Sequence, residues 1–180
     1  MARDSLQHFA DAVSSTWGPL TSELAASARH HLARLLEAPA TEGWLSALLE
    51  DAPDARELYR DPTHDFLLLA HTEQAGLYRP PHDHGRGWVM YAVLRGEMEM
   101  GTYRRVHDLR GTAQIVRRET FSLRPGDIRV FLPGDIHDTR CITGPLTLFR
   151  FTSRDLKKEE LTRYPEPPSA ASVELPVRGS

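Results

Sequence analysis

Three histidines are placed to do chemistry together: His82 and His84, in Pro80-Pro81-His82-Asp83-His84-Gly85, and His137, in Leu132-Pro133-Gly134-Asp135-Ile136-His137. Side chains along a strand repeat every second residue, so His82 and His84 project from one face and Asp83 from the other. A third imidazole brought in from a distant strand would let all three converge on one ion. Ligands gathered on one side leave the opposite side open, which is how catalytic metal sites differ from closed structural ones. Neutral imidazoles suit Fe(II), Zn, Cu, Ni or Co, so ligand type alone does not choose the metal.

Such convergence requires a β-framework, and the chain changes character near residue 58 to supply one. From Phe66 onward, short apolar and β-branched runs alternate with Gly, Pro and Asp in the manner of a β-sandwich or barrel. The pattern predicts eight strands, at 66–72, 77–83, 88–95, 97–105, 113–123, 127–132, 136–142 and 146–152, with Arg95-Gly96-Glu97 and Arg124-Pro125-Gly126-Asp127 as separating turns. Eight antiparallel strands suggest a jelly roll whose interior can hold a small ligand. Residues 1–57 read as helical. Thr21 or Ser22 can cap a helix carrying Leu24, Ala28, Leu32 and Leu35 and ending before Pro39, and Thr41 can start a shorter one through Trp44, Leu45, Leu48 and Leu49. These helices are expected to cover a face or edge of the β-part. The segment 165–180, rich in Pro, Ser and Ala, is poor material for a packed element and reads as a flexible tail.

At 180 residues the whole fits one domain, with 1–57 helical, 58–164 β and the tail following. A net charge of -3 offers no basic field for nucleic acid or an anionic membrane. The lone Cys141 excludes an intramolecular disulfide, the start of the chain does not read as a signal peptide, and no apolar run is long enough to cross a bilayer. The expected location is the cytoplasm. Exposed edge strands of a sandwich often need cover, which a second copy in a homodimer would supply.

The residues now in hand resemble the cupin superfamily of double-stranded β-helix proteins. The first cupin motif, G-x5-H-x-H-x3,4-E-x6-G, matches at His82, His84 and Gly96, with Val89 where most cupins carry a metal-binding Glu. The second, G-x5-P-x-G-x2-H-x3-N, matches at Gly126, Gly134 and His137, with Pro133 displaced by one and Cys141 in place of the Asn. Losing the Glu leaves a three-His shell, the pattern of the thiol dioxygenases, the cysteine dioxygenase group of cupins. Leu58-Tyr59-Arg60-Asp61 ahead of Phe66-Leu67-Leu68-Leu69 also looks like the segment where that group places a substrate-binding Arg.

The resemblance implies a non-haem Fe(II) enzyme that uses O2 to oxidise the sulfur of a small thiol to a sulfinate, with Arg60 holding the substrate's carboxylate. A planar guanidinium suits that role, since its fork can donate two parallel hydrogen bonds. A site with no acidic ligand is more cationic and should favour a thiolate or carboxylate. The chain departs from the group at its Tyr, its His and its crosslinked Cys, where the alignment puts Phe151, Phe149 and Val89. That implies a more distant member acting on another thiol or small acid. Two alternatives stay open: a cupin enzyme using Zn, Ni or Fe on a small carboxylate or carbonyl substrate, and a non-catalytic small-molecule-binding cupin.

Around the metal, Trp88 shares parity with His82 and His84 if the intervening glycines keep the register, which would make it a wall of the pocket beside the reacting substrate. Tyr59 and Arg86 are further candidate substrate contacts, Arg86 because it lies in the loop beside the ligands. Met98, Met100 and Cys141 share the inward parity, with core packing as their plainer reading.

Overall fold

The computed structural model describes residues 4–107 and 111–165. Of the expected tail, only Pro165 falls within them. Three helices precede the strands: α1 Ser5–Ser15, α2 Ser22–Leu36 and α3 Gly43–Asp51. The second is the helix expected from its spacing, with the Thr21 hydroxyl accepting from the Leu24 amide at 3.2 Å. The third starts two residues past Thr41. Glu42 occupies its cap position, and its carboxylate turns instead to Ser5 and the Trp44 indole. The first helix lies within the segment 1–57 that reads as helical, though the sequence alone does not delimit it, and Phe9, Ala10 and Val13 bury one side of it.

Seven strands follow: β1 Arg56–Arg60, β2 Leu67–Glu73, β3 Tyr78–His82, β4 Val89–His107, β5 Ala113–Leu123, β6 Ile128–Phe131 and β7 Ile136–Thr152. Two pairs of expected strands are in fact single bent ones. Gly96, at φ +83°, lets β4 turn within the ladder, and both halves stay paired to β7, so Arg95-Gly96-Glu97 is a bend rather than a hairpin. A Cβ at Gly96 would lie 2.8 Å from the Leu146 Cα, so the bend also needs a residue without a side chain. Residues 56–60, expected to lie ahead of the first strand, form an edge strand themselves.

The two bends split the hydrogen-bonded network into two antiparallel layers. In one, the order is β1, β2, the second half of β7, the first half of β4, and β6. In the other it is β3, the first half of β7, the second half of β4, and β5. This is a mainly β jelly roll of the double-stranded β-helix kind, with the helices on one outer face. Alternation assigns the core. Leu68, Ala70, Met90, Ala92, Phe149 and Phe151 turn outward and pack with Phe9, Leu24, Leu32 and Leu48 of the helices. Val89, Tyr91, Val93 and Leu148 turn inward to meet Met98, Met100 and Cys141 between the layers. Among the described residues, no helix is long and apolar enough to cross a membrane.

Candidate metal centre

The three histidines meet at one end of the space between the layers. His82 ends β3 and is the register partner of His137 near the start of β7, while His84 follows in the loop. Ring centroids are 5.0 Å apart for His82 and His84, 4.7 Å for His82 and His137, and 5.0 Å for His84 and His137. Each offers a ring nitrogen within 4.8 Å of the other two. The Asp83 carboxylate is directed elsewhere, accepting from the Gly85 and Thr162 amides and the Tyr164 hydroxyl. No carboxylate joins the cluster among the described residues.

The arrangement keeps the rings neutral. Burial pushes all three below the ordinary histidine range, His84 down to about 3 with the neighbouring His82 adding to it, and His137 well below normal. The Pro80 carbonyl accepts from Nδ1 of His82 at 2.8 Å, which leaves the lone pair on Nε2. Phe131 stacks on His137 with centroids 3.9 Å apart, holding that ring in place. Nδ1 of both His84 and His137 is buried without a hydrogen-bond partner. Three neutral, desolvated imidazoles with orphaned polar atoms fit a divalent cation, which would supply the charge their nitrogens lack.

His82 and His84 open onto a cleft of about 530 Å³ whose lining includes Arg60, His71, Arg79, Arg150, Thr152 and Lys157. Its cations exceed its acids, Glu57 and Asp155, so the metal end faces a positive environment.

Several residues lie elsewhere than the sequence suggested. Trp88 faces the helices, with its ring 5.8 Å from Trp17 and 5.4 Å from Phe151. The turn through Gly85, at φ +57°, breaks the strand between His84 and Val89, so parity does not carry across it. Tyr59 packs on Phe66 and donates to Asp61, on the helix side of the sheet and outside the cleft lining. Arg86 is 80% exposed and pairs with Glu159. Arg60 does line the cleft, but Nε and Nη2 donate to the two Glu57 oxygens at 3.1 and 2.8 Å, while Nη1 donates to Asp65 and Asp155. Its fork is occupied by the protein. Cys141 is buried and donates weakly to backbone carbonyls, apart from the cluster.

The two last-strand positions singled out in the sequence, Phe149 and Phe151, also face away from the cleft. They point into the helix-facing core, and Arg150 and Thr152 occupy the cleft side. A hydroxyl nevertheless reaches the site from another strand. The Tyr91 Oη lies 3.3 Å from Nε2 of His84 and 3.4 Å from Nε2 of His137. Alternation of charge and aromatics in Leu148-Phe149-Arg150-Phe151-Thr152 was the available signal for Arg150, as parity with Val89 was for Tyr91.

No family model matches the chain, and no curated protein matches it either. Solved structures do. KdgF from Halomonas sp. is 19% identical over 54% of this chain and 74% of its own, with a TM-score of 0.42. An uncharacterised protein with a double-stranded β-helix domain from Klebsiella pneumoniae is 17% identical over 61% of this chain and 77% of its own, with a TM-score of 0.43. A recombinant oxalate oxidase in complex with glycolate is 15% identical over 61% of this chain and 55% of its own, with a TM-score of 0.44.

Proposed function

We propose that this protein is a metal-dependent cupin enzyme that oxidises the sulfur of a small thiol acid with O2, using Fe(II) held by His82, His84 and His137. The observation that carries the reading is a cluster of three neutral imidazoles, two buried and His82 half-buried, without a carboxylate, opening onto a cationic cleft. Fe(II), when bound, would supply the redox chemistry and open positions for thiolate and O2.

The chain's own groups do the rest. The net positive charge of the cleft attracts the thiolate and carboxylate of the substrate into the low-dielectric space beside the imidazoles. Tyr91 places a hydroxyl next to two of those rings, where it can donate to an anion at the site. Phe131, Leu67 and Leu69 exclude water around it.

Protein purified without added metal, analysed for elements and then assayed for O2 uptake with a panel of small thiol acids, tests the reading. Iron near one equivalent and O2 consumption with a sulfinate product are expected. Iron-loaded protein that consumes no O2 with any member refutes it. Zinc or nickel at one equivalent together with that result favours an enzyme acting on a carbonyl or carboxylate carbon.

A further inference from the structure

The cations lining the cleft, Arg150 apart, are either neutralised by the protein or, like Lys157 and Arg163, exposed to solvent. Arg60 is surrounded by Glu57, Asp65 and Asp155, and Arg79 pairs with Glu73 at 2.9 Å. Arg150 differs. It projects from the central strand β7, in register with Tyr91 of β4 on one side and Leu69 of β2 on the other, so its stem is fixed by the sheet. Its Nε is buried and has no hydrogen-bond partner, and among the described residues no carboxylate pairs with it. It shares the cleft lining with His71, His82 and His84 and is the register neighbour of Tyr91, whose hydroxyl meets the rings of His84 and His137, so it stands beside the metal centre and not at the rim.

A guanidinium taken partly out of water without a counter-charge is costly unless something anionic completes it. Building on the reading of the cleft as a small-acid site, we propose that Arg150, and not Arg60, anchors the acid group of the substrate, setting the distance between that group and the atom directed at the metal. A carboxylate is the matching ligand, because its two oxygens fit the parallel donors of the fork. The anchor comes from the last strand of the fold, while Arg60 at the outer edge strand serves the ion network that ties β1 to Asp155.

Calorimetric titration of Fe(II)-loaded protein without O2 tests this, with 3-sulfanylpropanoate and its methyl ester as probes. Wild type should bind the acid tighter than the ester by about tenfold to a hundredfold, the range of a charge-assisted hydrogen-bonded pair. Arg150→Gln should erase that preference, Arg150→Lys should restore part of it, and Arg60→Gln should leave it in place. Far-UV circular dichroism and metal content of the variants separate loss of binding from loss of fold. A preference that survives Arg150→Gln in a folded, metal-loaded variant, or disappears in Arg60→Gln, overturns the proposal, as does a wild type that does not prefer the acid. Preference that depends on Arg150 without any O2 uptake would sink the oxygenase reading and leave the anchor standing.

Discussion

Acid should unfold the metal-free protein through histidines that folding forces to stay neutral. His71 is 8% exposed, its Nδ1 donates to the Asp54 carbonyl at 3.1 Å, and its Nε2 is buried without a partner. Burial, and then the charge of Arg150, bring its pKa from 6.5 down to about 4. His84 falls from 6.5 to about 3, mainly through burial and then through His82. Both folded values are depressed, so below 6.5 the unfolded chain takes up protons that the folded chain refuses. Stability is complete above about pH 7 and declines as pH falls, until the folded rings themselves titrate near the values given. At pH 5 the unfolded rings lie about 1.5 pH units below their titration point, about 2 kcal/mol for each ring at about 1.36 kcal/mol per unit. His71 and His84 together cost about 4 kcal/mol, a large share of a typical domain's stability, and His137 acts in the same direction. Urea unfolding of metal-free protein at pH 7 and pH 5, followed by far-UV circular dichroism, measures this. His71→Asn, whose amide can keep the bond to the Asp54 carbonyl, should lose about 2 kcal/mol less than wild type over the same interval. If the variant and the wild type lose equal amounts, burial of His71 is not what makes the fold acid-sensitive and the reasoning fails.

Two further substitutions separate the site from the scaffold. His84→Ala should abolish stoichiometric metal in elemental analysis while leaving the far-UV spectrum unchanged, and a variant that unfolds at pH 7 would make the ring structural instead. Trp88→Ala should cost about 3–5 kcal/mol in urea unfolding, the range for truncating a large buried aromatic, with metal content unaltered. Loss of metal in that variant would contradict its placement on the helix side.

The three-histidine centre was legible in the sequence because its signals are local or simply periodic. His82 and His84 are separated by a single residue, and His137 sits after a Pro-Gly turn that starts a strand. Helix α2 was legible for the same reason, since its cap and its apolar spacing lie within fifteen residues. Helix α1 could not be delimited within the helical segment because eleven residues gain their stability from Phe151 and the sheet, partners that are more than a hundred residues away.

What the sequence determined by itself is the set of donors and the strand character that can bring them together: three imidazoles, no acidic fourth ligand at Val89, and an alternating apolar chain. Tertiary structure decided which neighbours face them. A turn at Gly85 resets parity, so Trp88 goes to the helices and Tyr91 to the rings. Pairing decides which arginine is free, because Glu57, Asp65 and Asp155 occupy Arg60 while Arg150 has no carboxylate partner among the described residues. Periodicity persists only along unbroken strands, and charge neutralisation depends on residues distant in sequence, so neither could be read from the chain alone.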